Sequence, residues 1–228
     1  ERGTKGDQRL EISYSSSGER TIATANSRDE SPMRISDGPD IAHYTVADNS
    51  FEVSQKSFWQ SHKDAPRILT EAVLQYAKLQ EADHVLDLYG GVGLFAASFL
   101  PIVGENGLVD IVEGSKSATA DAARNFAGRD NVNIYTGDVA QHITRFSSAD
   151  VIVLDPPREG AGKEVIAHSA RLKPRTIVYV ACDPAALARD TSYLHDVGYQ
   201  LDSMRAFDLF PMTHHIEAIA KFVPSKVS

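Results

Sequence analysis

The chain has 228 residues, 42 % of them hydrophobic, a net charge of −8 and a single cysteine. One cysteine excludes an intrachain disulfide and a cysteine-built zinc or iron–sulfur site within this sequence. The acidic balance argues against bulk nucleic-acid binding by a basic surface, but leaves room for a local basic groove or a nucleic-acid-binding domain outside this chain.

No apolar run reaches the length of a membrane span, and no signal-peptide core opens the sequence. A cytoplasmic, soluble protein is expected. The first residue is Glu rather than Met, which fits a trimmed or partial chain.

Residues 1–60 are polar and read as the β-rich remnant of a central or N-terminal domain. Segments 10–16 and 20–25, joined by Ser-Gly-Glu, predict a hairpin, 27–40 predicts a loop, and 41–58 predicts two short strands around Ala47-Asp48-Asn49. From residue 61 to 228 helices and strands alternate. Asp64 is placed to cap a helix running to about Leu79, with Pro66 in its first turn. Strands follow at 84–89, 108–114, 131–138, 149–157 and 176–184. Helices lie between them, at 94–102, 115–127 and 162–172, and again at 184–197. Segments 199–210 and 215–223, the second led in by His214, predict a closing antiparallel pair. Such alternation specifies an α/β fold with a doubly wound, mostly parallel sheet, in which ligands bind where strands end.

The strand ends carry the chemistry. The first stops in Asp87-Leu88-Tyr89-Gly90-Gly91-Val92-Gly93, where Gly91 and Gly93 permit a tight turn and close backbone approach to a ligand. Alone, such a loop fits NAD, another nucleotide or a plain turn. The second stops at Glu113, spaced to accept from ribose hydroxyls. The third stops at Asp138, which suits an adenine amino group, a ribose or a helix cap equally well. The fourth stops in Asp155-Pro156-Pro157, a rigid turn that holds a carboxylate in a cleft. The fifth stops at Cys182. Asp183 and Pro184 start a helix there, whose positive end favours a thiolate, although Asp183 opposes one. A lone cysteine is by itself a space-filling residue as readily as a nucleophile. Glu217, among Ile216, Ala218 and Ile219, is expected to be desolvated, with a raised pKa suited to a base near neutral pH. A zinc deaminase is set aside, since its cysteine ligand pair is missing.

The order Asp-x-x-x-Gly-x-Gly, Glu, Asp resembles class I (Rossmann-like) S-adenosylmethionine-dependent methyltransferases, which also end in an antiparallel strand pair. More specifically, residues 50–223 resemble the RNA uracil-5-methyltransferases, which make 5-methyluridine in tRNA and rRNA. The motifs are FEVSQKSFWQ (51–60), VLDLYGGVGLF (85–95), VEG (112–114), LDPPREGAG (154–162), VYVACDPAALARD (178–190) and FDLFPMTHHIEAIAKF (207–222). The resemblance implies S-adenosylmethionine as cofactor, RNA as partner, no metal, and a monomer. It implies Cys182 as nucleophile and Glu217 as general base. Gln60, Tyr89, Glu113, Asp138 and Asp155 then lie along the cofactor or the target pocket. The chain departs from the family pattern at Gly90 (often Cys), Leu94 (often Asn), Ser61-His62 (usually Val-Asn) and Asp183 (commonly Asn).

The implied reaction needs these residue types. C5 of uracil is a poor nucleophile until a thiolate adds at C6, and the C5 proton must then leave for the thiolate to be expelled. Uracil has to be flipped into a pocket, for which Phe58, Trp59 and Phe210 are candidate walls. Transfer to an amino nitrogen would need no cysteine. That chemistry, on Asp155-Pro156-Pro157, is one alternative, and an RNA-binding module that has lost turnover is another.

Overall fold

The computed structural model describes residues 8–26, 34–210, 212–213 and 215–226. The expected hairpin forms as β1 (Gln8–Tyr14) and β2 (Arg20–Asn26). A third strand, β3 (Arg34–Asp37), joins β2 where a loop was expected; residues 27–33 of that segment lie outside the described residues. β4 (Ile41–Val46) and β5 (Asn49–Ser54) form a separate hairpin turning at Ala47-Asp48. Val46, Phe51 and Val53 of this hairpin are buried in the same core as the helices and sheet that follow.

The main unit alternates as the composition predicts: α1 (Ala65–Ala77), β6 (His84–Leu88), α2 (Leu94–Val103), β7 (Leu108–Glu113), α3 (Lys116–Asn125), β8 (Val132–Thr136), a one-turn α4 (Val139–Ile143), β9 (Val151–Leu154), α5 (Gly162–Arg171), β10 (Thr176–Ala181), α6 (Pro184–Asp196), β11 (Tyr199–Phe207) and β12 (Glu217–Pro224). Asp64 stands at the N-cap of α1, but its side chain bonds no helix N–H; Pro66 fits the first turn as expected. The short α4 was not expected from sequence, because five residues carry too little periodicity to register.

Seven strands form one sheet in the order β11-β12-β10-β9-β6-β7-β8. β8, β7, β6, β9 and β10 are parallel neighbours, and every residue of β9 and β10 is buried. Burial on both faces explains their near-continuous Val, Ile and Leu content. β12, last in sequence, enters antiparallel between β10 and β11. It starts at Glu217 rather than at His214 as expected, and His214 lies outside the described residues. Because it runs against β10, its first residue stands at the edge where β10 ends.

Candidate active site

The sheet register brings Cys182 and Glu217 together. β10 and β12 pair as far as Ala181–Ala218; Cys182 follows and Glu217 precedes that last pair, and the Glu217 carboxylate is near enough to act on the thiol. Glu217 is only 7 % exposed, and burial lifts its carboxyl from the ordinary 4.5 to about 7. The upward shift expected from its apolar neighbours is therefore present.

The thiol differs from expectation. Burial pushes Cys182 up, and the nearby carboxylates of Glu217 and Asp155 push it further; its own backbone N–H and the Arg158 guanidinium pull the other way. The start of α6 does not win that contest. Asp183 is not what opposes the thiolate: its carboxylate accepts from the backbone N–H of Ala186 at 2.8 Å, capping α6.

Asp155 lies beside this pair, its N–H donating to Leu88 O at 3.2 Å. Its carboxyl is raised well above the ordinary range, first by burial and then by Glu217, Asp87 and Glu113. Asp87, fully buried in β6, is raised to about 7 by burial; its Oδ2 accepts from Ala96 N at 3.1 Å, while its Oδ1 has no hydrogen-bond partner. Four acidic groups thus share one end of the sheet. A cation arriving there relieves both the desolvation and their mutual repulsion.

The adjoining cleft is lined by Phe58, Trp59, Gln60, Tyr89, Gly91 and Asp155, among others, and holds about 380 Å³ of empty space open to solvent. Four predicted cofactor residues, Gln60, Tyr89, Gly91 and Asp155, therefore share one cleft. Tyr89 has φ +62°, a left-handed conformation that a tyrosine rarely adopts and that marks functional loops. Glu113 does not line the cleft. Its two carboxylate oxygens accept from Gly91 N at 3.0 Å and Ser115 N at 2.6 Å, so it holds the glycine loop. Asp138 is also outside the cleft lining and caps α4, accepting from Gln141 N at 2.9 Å.

Gly93 serves packing rather than the cleft. It has φ +89°, and a Cβ there would fall 2.2 Å from the Phe126 ring, so only glycine lets the loop sit against the end of α3. Of the candidate walls, Phe58 is 71 % exposed at the rim. Trp59 stacks on Tyr44 at 4.5 Å and so belongs as much to the β4–β5 hairpin as to the cleft. Phe210 packs against the core and meets His215 edge-on.

The segment bearing Phe58 to Gln60 is tied down by α3. Asn125 accepts from Glu52 N at 2.8 Å and donates to Val92 O at 3.1 Å, linking β5 to the glycine loop. Asp121 accepts from Ser54 N at 2.8 Å. Sequence reasoning gave these two no role, nor Asp87 or Arg158. Asp87 was visible only as a motif letter, although a carboxylate within HVLDLY was a signal of a buried charge. Among the described residues there is no cluster of three or more His, Cys, Asp or Glu side chains suited to a metal, and no helix long and apolar enough to cross a membrane.

A five-stranded parallel run flanked by helices, closed by one antiparallel insertion, defines the class I methyltransferase fold. Solved structures agree: tRNA (uracil-54, C5)-methyltransferase of Pyrococcus abyssi, in complex with S-adenosyl-L-homocysteine, superposes with a TM-score of 0.71 at 24 % identity, over 96 % of this chain and 52 % of that one. The family model for protein-L-isoaspartate(D-aspartate) O-methyltransferase matches residues 40–166, the glycine-loop half of the fold, and stops short of Cys182.

The model for tRNA (uracil-5-)-methyltransferase matches residues 138–222, the half that contains Cys182 and Glu217. An uncharacterised RNA methyltransferase of Streptomyces coelicolor is 46 % identical over 180 residues, 78 % of this chain and 39 % of that protein. One from Corynebacterium diphtheriae is 32 % identical over 216 residues, 89 % of this chain and 51 % of that protein. Residues 138–222 thus match the tRNA (uracil-5-)-methyltransferase family, and the chain over most of its length is similar to RNA methyltransferases. It spans about half the length of the curated relatives it matches, or less.

Proposed function

We propose that this chain is the catalytic part of an S-adenosylmethionine-dependent RNA methyltransferase that methylates C5 of a uridine in tRNA or rRNA. The observation that carries this reading is the register that ends at Ala181–Ala218, which brings Cys182 and the buried Glu217 to one end of the sheet. The relatives named RNA methyltransferases support the substrate class.

The residues present fit the cofactor. Asp87 keeps an unpartnered buried oxygen, and burial raises Asp155 and Glu217, so a cationic group beside them would be favoured. Gln60, Tyr89 and Gly91 would hold the cofactor in the cleft, and Glu113 and Asp138 keep a free lone pair or oxygen for its ribose and base. When bound, S-adenosylmethionine supplies an electrophilic methyl group on a cationic sulfur.

The chain's own residues perform the remainder. The Cys182 thiolate adds to C6 of the flipped uracil, and the C5–C6 electron pair becomes available at C5 to take the methyl group. C5 then carries both the methyl group and its original proton. Glu217 removes that proton, the C5–C6 double bond reforms, and the Cys182–C6 bond breaks to return the thiolate. A carboxyl near 7 is well matched to that transfer. Arg158 favours the thiolate against the two carboxylates around it.

The test pairs two variants. Cys182→Ala should abolish methyl transfer to RNA. Glu217→Gln should leave addition and methylation possible but block elimination, so that a covalent protein–RNA species accumulates on denaturing gels. Methyl transfer undiminished in Cys182→Ala would refute covalent catalysis and return the Asp155-Pro156-Pro157 amino-group reading.

A further inference from the structure

Two of the sequence motifs meet in a single buried clamp. Asp190 lies on the inner face of α6, with Ala186, Leu187 and Leu194, and is 0 % exposed. Its Oδ2 accepts from the Tyr179 hydroxyl at 2.7 Å, from Ala161 N at 2.8 Å and from Gly162 N at 3.1 Å. Its Oδ1 accepts from Arg189 at 2.7 and 3.0 Å, and Arg189 also donates to Glu159 O at 2.6 Å. Tyr179 and Asp190 flank Cys182 in sequence, one on β10 and one on α6. Residues 159–162 continue directly from Asp155-Pro156-Pro157-Arg158. Gly160 closes against the same clamp: with φ +80°, a Cβ there would fall 2.6 Å from both Asp190 Oδ2 and an Arg189 nitrogen.

We propose that Asp190 is a positioning residue that holds the 156–162 loop, and with it the Arg158 guanidinium, against Cys182. The inference rests on the proposed role of Cys182. Most of the donors on Asp190 come from the loop or from residues that hold it, far more than a helix carboxylate needs for its own solvation. Three charged side chains act on the thiol: Glu217 at the start of β12 and Asp155 after β9 oppose ionisation, and Arg158 alone favours it. Arg158 is exposed, its Nη2 donating to His215 Nε2 at 3.4 Å, and the loop fixes where its backbone stands relative to Cys182. Freeing the loop leaves the two carboxylates in place and takes the cation away.

The test is the pH dependence of Cys182 alkylation by iodoacetamide, read by peptide mass spectrometry on the folded full-length protein. Asp190→Asn and Gly160→Ala should each slow alkylation at pH 7 by about threefold or more and move its midpoint upward. Neither should slow it further in an Arg158→Ala background, because the guanidinium is already gone. Both single variants should lower kcat for methyl transfer with the KM for S-adenosylmethionine unchanged. Where Asp190→Asn fails to fold, Gly160→Ala decides, since it leaves the buried carboxylate intact. Alkylation profiles identical to the parent in folded variants, or an equal shift with and without Arg158, would overturn the proposal. A shifted profile in a protein whose methyl transfer does not require Cys182 would uphold the clamp and remove the proposed reaction instead.

Discussion

Replacing Glu217 with Gln should stabilise the fold at pH 8, and much less so at pH 5. Burial moves this carboxyl from 4.5 to about 7. A carboxyl raised in the folded state carries no penalty below its unfolded pKa, where both states are protonated. Stability is then lost as pH rises toward about 7, and the full penalty is present above that. At about 1.4 kcal/mol for each pH unit between the two values, ionised Glu217 costs roughly 3 kcal/mol at pH 8. Glutamine has nearly the same shape and no charge to desolvate. Asp87 and Asp155 are present in both proteins, so their own pH dependence largely cancels; the repulsion between Glu217 and Asp155 is relieved as well and adds to the gain. Urea unfolding at pH 5, 6, 7 and 8 checks this. The stability difference should open from about 1 kcal/mol at pH 5 to roughly 3 kcal/mol at pH 8. A difference that is flat with pH, or a variant less stable than the parent at pH 8, would show that a native partner already compensates the carboxylate. The same substitution that traps the covalent species should therefore make the protein harder to unfold, the stability–activity exchange expected of a strained site.

Asp183→Ala should lower stability by about 1 kcal/mol through loss of the α6 cap, while the pH midpoint of Cys182 alkylation stays within a few tenths of a unit of the parent. A large downward move of that midpoint would instead make Asp183 an electrostatic partner of the thiol. Asn125→Ala should weaken S-adenosylmethionine binding in calorimetry by tenfold or so, the equivalent of about 1.4 kcal/mol, because it unties β5 from the glycine loop at Val92 without itself lining the cleft. Unchanged affinity would mean that the Phe58–Gln60 segment takes no part in holding the cofactor.

The order of elements was legible because burial on both faces writes itself into sequence. Strands such as Val151–Leu154 and Thr176–Ala181 are buried throughout and largely apolar, and helices such as Gly162–Arg171 carry a clear stripe. β3 escaped notice because its four residues are largely exposed and pair on one side only. The site was legible as residues more than as roles. Cys182, Glu217 and Asp155 were marked by where strands end. The nearness of Cys182 to Glu217 depends on an antiparallel register that no local pattern encodes. Glu113 was read as a ligand contact and Asp138 as a ligand contact or a helix cap; each also accepts from backbone N–H groups, because a carboxylate at a strand end can serve a loop and a ligand from the same place. Asp190 could have been found. Ala186, Leu187, Asp190 and Leu194 share one helix face, and a carboxylate in an apolar stripe calls for a buried partner.

The insertion of β12 between β10 and β11 also constrains how the molecule comes into being. β11 is synthesised first yet cannot settle beside β10, because the space between them is reserved for a strand that emerges later. Until residues 217–224 arrive, β10 presents an open, largely apolar edge, the kind of edge that invites pairing with another chain. Cys182 is by then already made, just beyond the tip of that edge, without Glu217 near it. The thiol thus gains its proposed base and its shelter in one late event. A chain cut before Glu217 should leave this edge open and be prone to aggregate.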